Sequence, residues 1–415
     1  MLGGIDTARP SLQRFRAANA GVYYAFLVLV AVLTFLTQAS GRPSYLDPAN
    51  VSNLLDQSSL VGLLVVFTTI VLISGNFDLS IGSTAALGAC VFLLSVPSLG
   101  LWGGLLVTFA AGGAVGLFNG LVVQKLGINA FIVTLGTLTA VRSLVLVLTD
   151  GRTITVSEGP GAQALTDLDA GSWITPNVYL LLGAGLVIAG AASWLSARRA
   201  GRAPRVSGVA ALAAGVLLLA ASPVLIFTVA LTRRTLYLVV VAVVAALVLR
   251  FTTVGRRLYA VGGNAEAARL SGIAVDRYKI VAFVFNGCAA AFVGALYAAR
   301  LGSINPTGLT GFELTALAAA ILGGTSLFGG SGTIIRGIVG ALILFTLRNG
   351  FNILNLGANW QGLIEGVVLI VAAGVYTVSG RRASRHVIAR RTSEAPPGDS
   401  PPGAVSEPAV PAETR

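Results

Sequence analysis

The sequence predicts an all-α membrane protein, a polytopic bundle of about ten to twelve transmembrane helices. Of its 415 residues, 55% are hydrophobic and only 11% are charged, whereas soluble domains carry about 25% charged residues. A soluble protein with so few charges could not cover its surface, so the remaining apolar area must face lipid. The apolar residues also form runs that approach the length of about 20 residues that a membrane-crossing helix needs.

Twelve apolar runs are candidate spans. They lie near residues 21–38, 58–74, 79–96, 101–124, 128–148, 176–195, 207–229, 236–250, 278–297, 312–328, 334–350 and 359–377. Three of them are short or nearly merge with a neighbour. The first run follows Arg9, Arg14 and Arg16 and leads into Thr37-Gln38-Ala39-Ser40, which is not a signal-peptide cleavage pattern. We therefore interpret it as the first span rather than a cleaved signal.

The distribution of basic residues predicts that both termini are cytoplasmic. With twelve spans, 20 lysines and arginines lie near the cytoplasmic ends and 6 near the external ends, which is the asymmetry that orients membrane proteins. Arg233 and Arg234 are exceptions because they fall outside, and a miscounted span near 207–250 would explain them. The richness in arginine, 26 against 2 lysines, together with alanine, glycine and valine, indicates a GC-rich bacterial genome and hence a bacterial inner membrane.

The predicted organisation has three parts. Residues 1–20 form a cytoplasmic segment and residues 21–380 the transmembrane domain. Residues 381–415 form a tail that is first basic and then rich in proline, glycine and serine, a composition that is typical of disorder.

Composition excludes several functions. The net charge of +12 is spread over short clusters between spans, as juxtamembrane anchors are, so we expect no nucleic-acid binding. The two cysteines, Cys90 and Cys288, lie in apolar runs, and the one histidine, His386, lies in the basic tail. We therefore expect no metal, no cofactor and no catalytic residue. Neither Lys125 nor Lys279 lies in a P-loop, so any ATP must be hydrolysed by another chain.

The predicted cytoplasmic loop 251–277 contains a short helix. Asn264 is a good N-cap, Ala265 to Ser271 favour helix, and Gly272 suits the left-handed residue that ends one. Glu266 lies near the N-terminus, where the helix dipole stabilises a carboxylate. Such a helix has the right shape to dock on a motor subunit, and it is equally compatible with an ordinary amphipathic connector.

Five sequence blocks carry a resemblance to a known family. The block Gly262 to Ile273 (GGNAEAARLSGI) resembles the hallmark loop of permease subunits of ribose- and xylose-type ABC sugar importers. Ser74 to Gly82 (SGNFDLSIG) resembles a second block of the family, and Leu322 to Gly332 (LGGTSLFGGSG) resembles its last block. The segments Phe118-Asn119-Gly120 and 129–137 resemble those between them.

An additional pair of spans at 176–229 makes the layout most similar to the xylose-type permeases. Phe285-Asn286-Gly287 and Trp360-Gln361 are further similarities to that type. Two departures, Asn76 in place of a glycine and Arg142-Ser143 in place of Arg-Gly, weaken any inference about the substrate.

The resemblance implies a homodimer around a translocation pathway for a monosaccharide such as xylose or ribose. ABC ATPase subunits would dock on the cytoplasmic side, and an extracytoplasmic sugar-binding protein would dock on the loops near 149–175 and 298–313. The residues that it implies for coupling to the ATPase are Gly263, Asn264, Glu266, Ala267, Ala268, Arg269, Leu270, Gly272 and Ile273.

Polar residues within spans are candidates for the pathway because they are costly in lipid and usually face a cavity or a partner. The candidates are Asp78, Asn119, Thr134, Asn286, Gln361 and Glu365, beside the ionisable Arg142 and Glu313. Asp78 could instead cap the next helix by accepting from the amides of Ser80 and Ile81. The neutral residues could instead join helices by hydrogen bonds, and Gly112, Gly116 and Gly120 form a ridge for close helix packing.

Three rival functions remain open at this stage. A related ABC permease could carry branched-chain amino acids or nucleosides. A gradient-driven secondary transporter would need coupling carboxylates at mid-membrane, where only Glu365 lies well within a predicted span. A membrane-embedded enzyme would need clustered carboxylates or histidines, which the sequence does not show.

Overall fold

The structure, a computed structural model, describes residues 11–169, 171–199, 201, 203, 206–224, 227–356, 363, 366 and 367. This part of the chain is almost entirely helical. Its helices are α1 (Ser11–Ala39), α2 (Pro48–Ile73), α3 (Ile81–Lys125), α4 (Ala130–Leu148), α5 (Gly159–Leu168), α6 (Val178–Arg199), α7 (Val206–Ala221), α8 (Arg233–Phe251), α9 (Thr253–Gly263), α10 (Ala265–Leu270), α11 (Val275–Leu301), α12 (Phe312–Leu322) and α13 (Ile334–Leu354). Four short strands are β1 (Ile154–Thr155), β2 (Ser172–Ile174), β3 (Leu231–Thr232) and β4 (Ser303–Ile304).

The predicted membrane bundle is confirmed. Among the described residues, 8 helices are long and apolar enough to cross a membrane, and α7 and α12 are shorter apolar helices. The 45-residue α3 contains two of the predicted spans, 79–96 and 101–124, which meet at Gly100 with φ of 65°. Of the predicted span 359–377 the structure describes only residues 363, 366 and 367, all helical, and the tail 381–415 lies outside the described residues.

Several boundaries differ from the sequence prediction for identifiable reasons. Helix α2 begins ten residues before the predicted 58, because Asp47 caps it by accepting from the amide of Ala49 and Pro48 occupies the first turn. The run 312–328 is not one span, since α12 ends at Leu322 before Gly324 with φ of 81°. Its 11 residues extend only about 16 Å, roughly half of the hydrocarbon thickness.

The core lies where α3 packs on α11 through the predicted glycine ridge. A methyl group at Gly112 would overlap the carbonyl of Gly287, and one at Gly116 would overlap the carbonyl of Phe283. One at Gly120 would lie 3.0 Å from the Cα of Ile280. The prediction of close packing at these three glycines is therefore confirmed. The additional pair of helices, α6 and α7, packs chiefly on itself through a similar set of close glycine contacts.

The loops at the ends of α4 and α11 meet on one face of the molecule. Strand β1 pairs antiparallel with β4, and the amide of Val156 donates to the carbonyl of Gly302 at 2.9 Å. The short helix α5, which the sequence analysis did not predict, also lies in this region and packs on α3. The two loops that the resemblance assigns to the binding protein, 149–175 and 298–313, therefore form one surface, which we call the loop face.

Arg233 and Arg234 belong to this loop face. Helix α8 begins directly at Arg233, and the guanidinium of the buried Arg234 pairs with Asp169 and, at 2.6 Å, with Asp56 of α2. Arg233 donates to the backbone carbonyl of Asp167. The charge of Arg234 is therefore neutralised by two carboxylates on the same face, and the guanidinium of Arg233 is satisfied by a backbone carbonyl.

Candidate functional site

The face opposite the loop face carries α9 and α10, between the ends of α8 and α11. The predicted short helix is confirmed as α10: the side chain of Asn264 accepts from the amide of Ala267 at 2.9 Å. Gly272, with φ of 79°, follows its end, and Glu266 lies in its first turn. Helix α9, which precedes it, was not predicted; its N-cap Thr252 accepts from the amide of Gly255 at 3.3 Å.

Helices α9, α10 and the start of α11 pack as one unit. Val261, Ala268 and Val275, one from each helix, form a small buried cluster that Ile273 and Tyr278 cover. Asp276 of α11 pairs with Arg269 at 3.3 Å and with Lys125 of α3 at 2.8 Å. These ion pairs are exposed and contribute little individually, but the buried cluster keeps α10 in a fixed position relative to α11.

Two apolar side chains on this side of the molecule are exposed to an unusual degree. Leu270, the last residue of α10, is 82% exposed, and Phe328, in the loop between α12 and α13, is 93% exposed. Neither lies on a membrane-spanning helix, so lipid does not explain their exposure. Both side chains are therefore accessible to another protein chain. Phe328 was not among the predicted site residues, although it lies in the last family-like block.

Three backbone segments meet directly behind α10 at what we call the glycine junction, formed by Gly75, Gly262, Gly329 and Gly330. The amide of Gly330 donates to the carbonyl of Ile73, the last residue of α2, at 2.9 Å. A methyl group at Gly262 would overlap that same carbonyl, and one at Gly329 would lie 2.7 Å from the Cα of Gly75. The glycines of three family-like blocks are thus explained by one close backbone contact.

Tyr259 of α9 strengthens this junction. Its hydroxyl donates to the carbonyl of Gly332 at 2.8 Å. Burial raises the pKa of the Tyr259 hydroxyl above its usual value near 10, so the donor remains protonated at neutral pH. Helix α9 therefore contacts both the break after α2 and the loop before α13.

The break between α2 and α3 leads into a group of buried side chains that we call the polar cluster: Asp78, Ser80, Asn119, Thr137 and Asn286. One carboxylate oxygen of Asp78 accepts from the amide of Ser80 at 2.9 Å and from its hydroxyl at 2.6 Å. The other accepts from the side-chain amide of Asn286 of α11 at 2.9 Å. Asn119 donates to the Ser80 hydroxyl at 2.9 Å and accepts from Thr137 of α4 at 2.7 Å.

The cluster brings three of the predicted pathway residues together: Asp78, Asn119 and Asn286. All are buried, and their hydrogen bonds join α3, α4 and α11. Asp78 accepts from one of the two amides that we expected, but it lies two residues before the N-cap, which is Ser80. Thr134 lies apart and bonds the carbonyl of Ala130 in its own helix at 2.8 Å. Gln361 and Glu365 lie outside the described residues.

Glu313 is a buried carboxylate that was named as ionisable but not selected as a site residue. It is only 7% exposed at the start of α12, where one oxygen accepts from the amide of Gly311 at 3.1 Å. The other oxygen has no hydrogen-bond partner among the described residues and occupies the space that Gly82 leaves open. Arg142 of α4 approaches the same region and donates to the carbonyl of Pro306 at 3.0 Å.

Replacing Asn286 with alanine is expected to destabilise the fold by about 2 kcal/mol, because it removes a hydrogen bond to a buried charged group. The measurement is thermal unfolding of the purified protein in detergent. The control is Phe285→Leu, the preceding residue, whose side chain is 58% exposed and whose replacement is expected to leave the midpoint unchanged. Equal midpoints for Asn286→Ala and the control would contradict the polar cluster.

Comparison with known proteins places this arrangement in a family. A profile of permease components of branched-chain amino acid transport systems matches residues 50–373. The chain belongs to this permease family. The matched region runs from the first turn of α2 through α13 and includes α10, the glycine junction and the polar cluster.

Individual relatives of the permease carry narrower names. It is 32% identical to the xylose transport system permease protein XylH of Haemophilus influenzae over 384 residues, which cover 89% of this chain and 99% of that protein. It is also 32% identical to XylH of Escherichia coli over 379 residues, 89% of this chain and 94% of that protein. The ribose import permease protein RbsC of Bacillus subtilis is 32% identical over 353 residues, 85% of this chain and 90% of RbsC. The resemblance drawn from the motifs is confirmed. No solved structure matches the permease significantly.

Proposed function

We propose that this permease forms the membrane pathway of an ATP-driven importer for a monosaccharide, either xylose or a similar sugar such as ribose. The observation that carries the proposal is the match to two kinds of sugar permease across 85–89% of the chain. The match covers most of this chain and most of the length of each relative. It therefore compares whole permeases and not a shared fragment.

The energy comes from a partner ATPase that docks on α10. Leu270 and Phe328 offer exposed apolar contacts, and Arg257 of α9 and Arg269 of α10 are exposed basic residues on the same two helices as the docking site. The sequence contains no P-loop of its own. Gly263, Asn264, Glu266, Ala267, Ala268, Arg269, Leu270, Gly272 and Ile273 are the residues that form or flank this docking helix.

The ATPase moves the permease by pushing a small rigid unit. Because α10 shares a buried cluster with α9 and α11, a displacement of α10 moves these helices together. The glycine junction carries that displacement to the end of α2 and to the loop before α13, since no side chain separates the backbones there. The polar cluster follows directly in the chain at Asp78, so the same displacement rearranges α3, α4 and α11. Packed helices usually change between two discrete arrangements rather than deform continuously, so a small displacement is enough to switch them.

The same proposal assigns the two faces and the assembly. The α10 face is cytoplasmic and the loop face is external, as the arginine distribution predicts. The paired strands and α5 on the loop face receive an extracytoplasmic sugar-binding protein. Two copies of the permease form a homodimer around the pathway, and Asp78, Asn119, Thr134 and Asn286 lie beside it, close to the helix break.

The experiment is uptake into proteoliposomes that contain the permease, the ATPase and the binding protein encoded beside it. We expect ATP-dependent uptake of labelled xylose or ribose, and unlabelled sugar should compete while leucine should not. Uptake of leucine without uptake of either sugar would support the second candidate, a branched-chain amino acid importer, which the description of the family profile favours. That outcome would overturn the sugar proposal while leaving the ATP-driven mechanism in place.

A further inference from the structure

A groove of about 850 Å³ lies between α1, α8, α9 and α13, apart from the polar cluster. Its size is within the range of about 300–1,000 Å³ that is typical of small-molecule sites. Its lining combines two kinds of surface, a basic rim and an apolar wall, and neither is used by the proposed transport mechanism.

The basic rim consists of Arg250, Arg256 and Arg336, which come from three different helices. Arg250 lies in the last turn of α8, Arg256 in α9 and Arg336 near the start of α13. Among the described residues, neither Arg250 nor Arg256 forms an ion pair. Two guanidinium groups without an ion pair beside a third, with no carboxylate among the described residues of the lining, favour a ligand with a negative charge.

The apolar wall runs from the rim along the membrane-spanning helix α8. It includes Ala242, Val243, Ala246 and Leu247, and the side chains of Val243 and Leu247 are about half exposed, at 51% and 50%. Arg250 lies eight positions after Ala242, which corresponds to about 12 Å along the helix axis. The groove thus extends from the charged end of a span into the depth of the hydrocarbon core.

We propose that this groove binds an anionic phospholipid of the bilayer, with its phosphate at Arg250, Arg256 and Arg336 and an acyl chain along α8. Basic pockets between transmembrane helices at the cytoplasmic surface recognise such headgroups. A soluble phosphate would satisfy the rim but would leave the apolar wall uncovered. The bilayer supplies a ligand that covers both.

The site also adjoins the coupling elements. Tyr259 lines the groove with its ring while its hydroxyl holds the carbonyl of Gly332 beside the glycine junction. A lipid that bridges the arginines of α8, α9 and α13 ties these three helices together at the level of the junction. Anionic lipid therefore stabilises the permease where it receives the push from the ATPase.

The test compares lipid binding to the full-length purified protein by native mass spectrometry, with phosphatidylglycerol and phosphatidylcholine of identical acyl chains as probes. The variant Arg250→Gln/Arg256→Gln is expected to bind phosphatidylglycerol about 25-fold more weakly than the native chain, since each arginine near the surface contributes about fivefold. Its binding of phosphatidylcholine should not change. The control Arg198→Gln/Arg199→Gln removes the same charge from the end of α6, outside the groove, and should bind as the native chain does.

Two results would overturn the site. One is equal retention of phosphatidylglycerol by the Arg250→Gln/Arg256→Gln variant and the native chain, or an equal loss in the control. The other is binding of glycerol phosphate, which lacks acyl chains, as tightly as phosphatidylglycerol, because the apolar wall would then contribute nothing. Since the assay measures binding and not transport, its outcome is independent of the sugar assignment.

Discussion

Gly262→Ala is expected to lower ATP-driven uptake by about tenfold or more while leaving the ATPase bound to the permease. The added methyl group would overlap the carbonyl of Ile73 and come within 2.8 Å of the amide nitrogen of Gly330. Both are backbone atoms, so α9 must separate from α2, and overpacking of this kind costs about 1–3 kcal/mol. Uptake and copurification of the ATPase are measured on the same preparation. Low uptake with normal copurification would show that the ATPase still binds but no longer moves the permease.

A glycine of α6 provides a matched control. A methyl group at Gly185 would meet no heavy atom within 4 Å outside its own neighbourhood. Gly185→Ala is therefore expected to retain uptake at the level of the native chain. Normal uptake in Gly262→Ala, or equal losses in both variants, would contradict the role of the glycine junction.

Leu270→Asp is expected to abolish copurification of the ATPase and, with it, uptake. Leu270 is 82% exposed at the end of α10, so aspartate is accommodated without disturbing the core. It would place a desolvated charge in an apolar contact, where an unpaired buried charge costs about 3–5 kcal/mol. The measurement is recovery of the ATPase with the tagged permease from detergent-solubilised membranes.

The control for this substitution is Val206→Asp, which changes an equally exposed apolar residue, 86% exposed at the start of α7, and should leave recovery unchanged. Two further variants test the geometry of the docking helix. Gly272→Pro forces φ near −65° where the chain has 79°, and Glu266→Arg reverses a charge that the helix N-terminus favours. Both should lose uptake with normal membrane insertion, and persistent uptake in either would show that α10 is not the coupling element.

Features encoded by short local patterns were predictable from the sequence. Helix α10 was predicted because Asn264 caps its first turn and Gly272 adopts the positive φ that follows its end. Both effects depend only on residues close in the sequence. The bundle itself was predictable because a helix must contain about 20 apolar residues to cross the hydrocarbon core, and such runs are visible in the sequence. The glycine ridge of α3 was predictable for a similar reason, since its spacing places all three residues on one helix face.

Features that depend on burial within the bundle were harder to predict. The first turns of α2 contain Asn50, Ser52, Asn53 and Asp56, so hydropathy placed the start of the helix too late. The polar residues there are satisfied by tertiary contacts, such as the ion pair between Asp56 and Arg234. Helix α9 was missed because its residues are largely polar or glycine and carry no long apolar pattern.

The candidate site shows the same division. Asp78, Asn119 and Asn286 were each recognised as polar residues in apolar runs, but 208 residues separate the hydrogen-bonded pair Asp78 and Asn286. Only the fold brings them together. The glycine junction likewise joins three blocks that are far apart in the sequence. The need for glycine at Gly262 and Gly329 follows only from the close backbone contacts in the folded chain.

The central claim is that the permease has no energy source of its own and moves its solute only when a bound ATPase pushes on α10. The most direct measurement is sugar uptake by proteoliposomes with the purified permease alone and with its ATPase and binding protein added. We predict uptake only in the complete system and only with hydrolysable ATP, unaffected by an ionophore. Uptake by the permease alone that an ionophore abolishes would contradict the account and indicate a gradient-driven transporter.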